Sequence, residues 1–348
     1  MGSRGRVVPF PVPRLMRTRP RYSCALAPAA GVVDTARLAE QLGYRRVWLF
    51  DSPALHGDVW VALARIASGT DRIGLATGVA VPGLRHPMVT ASAIGSVHEL
   101  APGRLVAAVG TGYTARHALG HQPVSWADTV RYIRQVRALL DGEVVEVDGR
   151  PCQMTHLPGF APARPIDVPL WVAASGPKGF AAARELAAPG VVMTSVPVDG
   201  DHGWERCAVL RFGTVLRPGE DHTTPHVIEA AGPGYASIVH AVWQKAGIAV
   251  DAMPGGKAWR TSLEAERPER ERHLVAHQGH ISRLTERDRG VVTAAGPAIL
   301  EPGWTGDAAS IAARFDEAGA AGVTEVVYVP AGRDIPGELR AFAQAARS

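Results

Sequence analysis

Cysteine and lysine are scarce in this chain of 348 residues. Its three cysteines, Cys24, Cys152 and Cys207, have no paired spacing. That argues against a disulfide framework or a cysteine-rich zinc site and favours a reducing compartment. No apolar run reaches the roughly 18 residues of a transmembrane helix, and the Arg- and Pro-rich N-terminus lacks the apolar core of a secretory signal. We therefore expect a cytoplasmic protein that does not enter a membrane.

Concentrated positive charge is also missing. The net charge is +4, yet only three of the 37 basic residues are lysine, and the arginines are scattered. No basic stripe interleaved with aromatic residues appears, which argues against nucleic-acid binding. Hydrophobic residues make up 46% of the chain and charged residues 20%, the composition of a globular protein.

What the chain does contain is a repeated pattern of a short apolar strand followed by an amphipathic helix. Continuous apolar runs are typical of parallel strands buried on both faces. Eight such strands predict a (β/α)8 barrel, of the TIM-barrel type, with an open doubly wound sheet as the alternative. The predicted strands are 21–27, 46–50, 72–81, 105–109, 169–174, 191–196, 207–216 and 324–329.

The remaining segments predict the domain organisation. Residues 1–20 are expected to form a flexible arm, and residues 21–348 a single barrel domain. Two insertions are predicted, a small hairpin around Asp148-Gly149 within 144–165 and a longer excursion over 224–300. The link between 196 and 207 is too short for a full barrel helix, so we expect an open wall there or a partner subunit.

Function in a barrel is located at the carboxyl ends of its strands. Several predicted ends carry small or polar residues, and the fifth leads directly into a helix. That helix start predicts an anion site, although an ordinary tight turn would look the same. The residues at these ends are Asp51, Thr77, Gly78, Val79, Gly110, Thr111, Gly112, Ala174, Ser175, Gly176, Pro177 and Lys178.

Histidines offer further candidates. His56 and His86 follow the second and third strands, where each would line a ligand site, lie in a surface loop or cap a helix. His273, His277 and His280 would share one face of a helix, as metal ligands can. Gly279 weakens that helix and no matching carboxylate spacing is present, so we expect no metal.

The segments 71–112, 43–52, 169–179 and 304–342 together resemble the luciferase-like flavin- and deazaflavin-dependent oxidoreductases. The likeness is greatest to the branch that includes methylene-tetrahydromethanopterin reductase. It implies a (β/α)8 barrel with an insertion, the deazaflavin coenzyme F-420 as a dissociable hydride carrier, and a homodimer.

The resemblance also implies residue roles. A bulge at Gly78-Val79 beside Thr77, often with a non-proline cis peptide, would support the cofactor ring. Residues 110–112 would line the ring or its ribityl chain, and residues 174–178 would hold the phosphate. The sugar-phosphate dehydrogenases of this family carry His and Glu where this chain has Ser52 and Tyr113. That departure argues against glucose-6-phosphate oxidation by their mechanism.

These observations predict an oxidoreductase that moves a hydride between F-420 and a small organic substrate. The alternatives are an FMN-dependent luciferase-like monooxygenase and a non-enzymatic flavin-binding relative. The candidate catalytic residues are Asp51, His56 and His86.

Overall fold

The computed structural model describes residues 19–194 and 203–348. Its central feature is a closed barrel of eight parallel strands, with a separate two-stranded hairpin. The strands are β1 (Arg21–Leu26), β2 (Arg46–Leu49), β3 (Gly74–Thr77), β4 (Leu105–Val109), β5 (Val145–Val147), β6 (Arg150–Cys152), β7 (Leu170–Ala173), β8 (Val191–Met193), β9 (Cys207–Arg211) and β10 (Glu325–Tyr328).

Barrel closure distinguishes this fold from an open sheet. Around the ring the strand order is β1-β2-β3-β4-β7-β8-β9-β10, and β10 pairs again with β1. The closing register places Tyr22 opposite Val326. The predicted barrel is therefore confirmed. Three predicted strands were too long, because β3 ends at Thr77, β8 at Met193 and β9 at Arg211.

Helices surround the barrel and fill its insertions. Side chains fix several of their starts: Asp58, for example, accepts hydrogen bonds from the N–H groups of Trp60 and Val61. The helices are α1 (Val32–Gln41), α2 (Val59–Gly69), α3 (Pro87–Leu100), α4 (Tyr113–His117), α5 (Trp126–Asp141), α6 (Pro177–Glu185), α7 (Pro225–Ala246), α8 (Gly256–Glu266), α9 (His273–Ala276), α10 (Glu286–Ala295), α11 (Ala308–Ala320) and α12 (Ile335–Arg347). Within the described residues none is long and apolar enough to cross a membrane.

The barrel interior is a packed core. Trp48 and Trp171 are buried inside it, with their ring centroids 5.8 Å apart. At the amino-terminal end of the strands, Glu325 accepts hydrogen bonds from Arg46 Nη1 at 2.5 Å and Trp48 Nε1 at 2.8 Å. This buried ion pair occupies the amino-terminal end of the barrel interior.

Both segments that were predicted as insertions contain secondary structure outside the barrel. Asp148 and Gly149 have positive φ angles and connect β5 to β6, as expected of a tight hairpin turn. The second insertion folds α7, α8, α9 and α10 around an apolar cluster that includes Val239, Trp259 and Leu263. Residues 1–18 of the predicted arm and residues 195–202 of the predicted open wall lie outside the described residues.

Candidate active site at the carboxyl ends of the strands

A bulge interrupts the pairing of β3 with β4. Ala76 pairs with Val106, but the next bridge joins Ala80 to Val109, so one extra residue lies on the β3 side. The Gly78-Val79 peptide within this bulge is cis. On either side of it, Thr77 Oγ1 and the Ala80 N–H both donate to the Ala108 carbonyl, at 2.7 Å and 2.8 Å. The structure therefore contains the bulge that the resemblance implied.

Glycine at 110 lets this bulge lie close to β7. A Cβ added to Gly110 would lie 2.9 Å from Val79 Cγ2 and 3.0 Å from Ala173 Cβ. Gly112 begins α4 with a φ of +78°, and a Cβ there would lie 2.2 Å from Val81 Cγ1. Between them, the Thr111 carbonyl accepts a hydrogen bond from the Val124 N–H at 2.9 Å. Both glycines are thus required by the local packing.

The floor of the site is apolar. Val79 and Ala173 pack against the barrel's interior cluster from its carboxyl end, as do Phe212 and Ile281. Ile281 comes from the long insertion, so this insertion reaches over the mouth of the barrel. A flat, mostly apolar ring would find matching surface here.

The end of β7 leads into an open helix N-terminus. Ala174 extends the ladder by donating to the Val192 carbonyl at 2.9 Å, and Gly176 then precedes α6. Among the described residues no side chain caps this helix, and a Cβ on Gly176 would meet nothing within 4 Å. Ser175, Pro177 and Lys178 are exposed. Free N–H groups, open space and an adjacent ammonium group suit an anion.

Arg211, at the end of β9, adds charge that the sequence analysis missed. Its Nη1 donates to the Thr194 carbonyl at 2.9 Å, and Thr194 Oγ1 donates to Ser175 Oγ at 3.0 Å. Burial lowers the pKa of Arg211 to about 10, so the guanidinium stays charged at neutral pH. A buried cation therefore lies behind the open helix start.

The Asp51 carboxylate is committed to partners of its own chain. It is 3% exposed and accepts hydrogen bonds from Arg85 Nη1, at 2.8 and 2.9 Å, and from the Val81 N–H at 3.2 Å. Arg85 Nη2 also donates to Asp58 at 2.7 Å. Burial raises the pKa of Asp51, against the opposing effect of Arg85. Asp51 therefore positions Arg85 and the chain after the bulge, and a direct role in catalysis stays a prediction.

The two candidate histidines differ in their surroundings. His86 is exposed and caps α3, because its Nδ1 accepts a hydrogen bond from the Met88 N–H at 3.1 Å. This is the capping alternative, and a part for His86 in a ligand site stays a prediction. His56 is half-buried, its ring centroid lies 6.1 Å from that of Phe50, and burial lowers its pKa.

Three histidines form a cluster, in which His240 takes the place of the expected His273. The helix α9 ends at Ala276, so His273 does not share a face with the other two and lies instead against Gly120. His240, from α7, joins His277 and His280. Burial lowers the pKa of His277 to about 3 and that of His280 well below its usual range, so both rings are neutral at pH 7.

Residues 10–204 match the family described as luciferase-like monooxygenase. The chain belongs to this family. The match covers β1 to β8, and therefore the bulge, the Gly110–Gly112 turn and the start of α6.

Curated relatives of this luciferase-like chain include methylenetetrahydromethanopterin reductases and F-420-dependent dehydrogenases. It is 35% identical over 178 residues to a 5,10-methylenetetrahydromethanopterin reductase of Methanolobus tindarius, covering 49% of this chain and 52% of the relative. It is 37% identical over 175 residues to an F-420-dependent glucose-6-phosphate dehydrogenase of Beutenbergia cavernae, covering 45% and 50%. The chain spans about half the length of the curated relatives it matches.

The fold extends this likeness to nearly the whole chain. The structure of a coenzyme F-420-dependent tetrahydromethanopterin reductase from Methanopyrus kandleri superposes with a TM-score of 0.63 at 18% identity. The superposition covers 94% of this chain and 98% of that one. The luciferase-like barrel is therefore shared even where the sequences have diverged.

Proposed function

We propose that this chain is an oxidoreductase that binds coenzyme F-420 at the carboxyl end of its barrel and transfers a hydride between it and a small organic substrate. One observation carries the proposal. The bulge at Gly78-Val79 and the uncapped start of α6 lie at the same end of the barrel, beside the close approach at Gly110. A flat ring would lie against the bulge, and an anionic tail would lie at the start of α6. The F-420-dependent relatives support the choice of cofactor.

The residues present fit such a cofactor. Val79 and Ala173 offer an apolar surface for the ring, and the open space at Gly176 leaves room for a phosphate at the start of α6. Lys178 at the helix start and the buried Arg211, which is linked to that loop through Thr194, supply positive charge. When bound, F-420 supplies the hydride-carrying ring. The chain's own residues would bind it, hold a substrate against one ring face and exclude water from the contact.

Direct hydride transfer also agrees with the absence of two acid–base residues from this site. At the positions where sugar-phosphate dehydrogenases of this family carry His and Glu, this chain has Ser52 and Tyr113. Tyr113 begins α4, and burial raises the pKa of its hydroxyl, which keeps it protonated at neutral pH. A substrate that accepts or releases a hydride with little proton transfer is therefore the class we favour.

Fluorescence titration with F-420, run in parallel with FMN, tests this proposal. We expect micromolar binding of F-420 and weaker binding of FMN. Lys178→Gln should weaken F-420 binding about 10- to 150-fold, because a hydrogen bond to a charged group contributes roughly 1.5–3 kcal/mol. Lys257→Gln, which removes an exposed lysine on α8, is the matched control and should leave binding unchanged.

Gly176→Ala provides a second test that separates binding from folding. Its added Cβ meets nothing within 4 Å, so the melting temperature should not change. The same methyl group would crowd a phosphate at the helix start, so F-420 affinity should fall. Tighter binding of FMN than of F-420 would move the chain to the oxygen-using alternative. Binding of neither cofactor would overturn the proposal.

We also propose that two copies associate and that the protein is cytoplasmic, in keeping with the family resemblance and the free thiols of Cys24, Cys152 and Cys207. Light scattering of the purified protein checks the first point. A monomer at micromolar concentration would contradict it.

A further inference from the structure

The histidine cluster above the barrel combines three rings from two distant parts of the insertion. His240 lies in the middle of α7, whereas His277 and His280 lie in the segment after α9. Each offers one nitrogen such that the three atoms all lie within 4.8 Å of one another. His240 and His277 are 2% and 1% exposed, so these polar rings are enclosed by protein.

In each of the three rings, Nε2 has a partner outside the cluster. His240 Nε2 donates to Asp288 Oδ1 at 2.9 Å. His280 Nε2 lies 3.0 Å from Thr114 Oγ1, and His277 Nε2 lies 3.4 Å from Gln244 Oε1. Because each Nε2 is committed in this way, Nδ1 is the nitrogen that each ring has left to offer.

The three Nδ1 atoms cannot all be hydrogen-bonded to one another. His240 Nδ1 and His280 Nδ1 lie 3.4 Å apart, and one of them can carry a proton for a bond between them. His277 Nδ1 is buried and has no hydrogen-bond partner among the described residues. A buried polar atom without a partner costs roughly 1–3 kcal/mol, so a purely hydrogen-bonded cluster leaves this cost in place.

We infer that His240, His277 and His280 bind a divalent transition-metal ion, Zn²⁺, through their Nδ1 atoms. Zinc–nitrogen bonds of about 2.0–2.1 Å in a tetrahedron place two ligand nitrogens about 3.3 Å apart. The separation of 3.4 Å between His240 Nδ1 and His280 Nδ1 matches this value. The three ligand nitrogens lie within 4.8 Å of one another, so the His277 ring has to move closer for all three to bind one ion.

The surroundings have the features of a metal site. A ligand histidine commonly donates its other N–H to a carboxylate, and His240 does so to Asp288. Asp288 is held in turn by Trp259 Nε1 at 2.9 Å and Thr285 Oγ1 at 2.7 Å.

A cavity lies next to the cluster. It has a volume of about 590 Å³, lies between α4 and the insertion, and is lined by His117 and Gln244, among other residues. Gln244 Oε1 lies 3.4 Å from His277 Nε2, and the His117 ring stacks on the His277 ring with centroids 6.3 Å apart. The cluster is therefore one layer of side chains away from this cavity.

The position suggests what the metal would do. Thr114, the partner of His280, belongs to α4, which starts directly after Gly112, and Ile281 packs on the barrel interior. A bound ion would fix the segment around His280 over the mouth of the barrel. Three protein ligands leave a fourth position for water or a substrate oxygen.

Zinc measurement on the full chain, after cleavage of any affinity tag, tests this inference. We expect about one zinc per chain by mass spectrometry and tight binding in competition with a fluorescent chelator. His240→Ala and His277→Ala should each weaken zinc binding at least 100-fold. Asp288→Asn should weaken it about 10- to 100-fold, the usual effect of losing an outer partner of a ligand.

His273→Ala is the matched control, since His273 is close in sequence but lies against Gly120. It should bind zinc as the wild type does. Binding of Co²⁺ to the wild type should give the intense visible bands of tetrahedral coordination, a readout that holds even if a ligand variant fails to fold. Less than a tenth of a zinc per chain, unchanged affinity in His277→Ala or an octahedral Co²⁺ spectrum would overturn the inference.

Discussion

Arg85 is expected to contribute more to stability than Asp51, the buried carboxylate to which it donates. It links Asp51, which is buried after β2, to Asp58 at the start of α2. At 2.8 Å and an effective dielectric of about 20, the Arg85–Asp51 pair has a gross attraction of about 6 kcal/mol. Desolvation offsets much of this, yet removing one partner of a buried pair typically costs about 3–5 kcal/mol. We therefore expect Arg85→Ala to lower the free energy of unfolding by that amount at pH 7.

Urea denaturation of four variants measures this effect. Arg85→Ala leaves Asp51 as an unpaired buried charge, so Asp51→Asn in the same chain should restore part of the loss. Arg131→Ala is the control, because its ion pair with Asp128 is exposed and contributes at most about 1 kcal/mol. Asp51→Asn alone should cost less than Arg85→Ala, since Arg85 then keeps Asp58.

The pH dependence has a defined sign. Burial raises the pKa of Asp51, and without Arg85 it should rise further above the unfolded value. The folded variant then binds more protons than the unfolded chain, so its stability rises as pH falls. The deficit of Arg85→Ala should shrink between pH 7 and pH 4. A cost below about 1 kcal/mol, or no rescue by Asp51→Asn, would refute the reasoning.

Three further changes have defined outcomes. Gly110→Ala places a methyl group 2.9 Å from Val79, so it should weaken F-420 binding and cost about 1–3 kcal/mol in denaturation; unchanged affinity would show that Val79 does not face the ring. Gly290→Ala, inside α10 with nothing within 4 Å of the new Cβ, should stabilise the protein by up to about 1 kcal/mol. The hydrogen bond to Glu338 raises the pKa of His226, so this contribution to stability is full below the unfolded histidine value and is lost as pH rises through the folded one. His226→Gln should therefore flatten the fall in stability above pH 6.5, and an unchanged pH profile would contradict this assignment.

Local pattern in the sequence determined the barrel of this protein. Continuous apolar runs such as 47–49 and Leu105–Val109 have no polar face to expose, so they become strands buried on both sides. Strand ends were less predictable. The runs 72–81 and 207–216 continue past Thr77 and Arg211, but the regular strand pairing ends there and only isolated bridges follow, at Ala80 and Val215.

The positions of the candidate site were also readable, because glycines and small residues at strand ends mark where a barrel can approach a ligand. The partners of its charged groups could not be read from the sequence. Arg85 lies 34 residues from Asp51, and Arg211 lies 17 residues from Thr194. His240, which replaces the expected His273, lies 40 residues from His280. Periodicity carries information only between residues a few positions apart in one element, whereas contacts between elements depend on how they pack. Those pairings were decided by the tertiary structure alone.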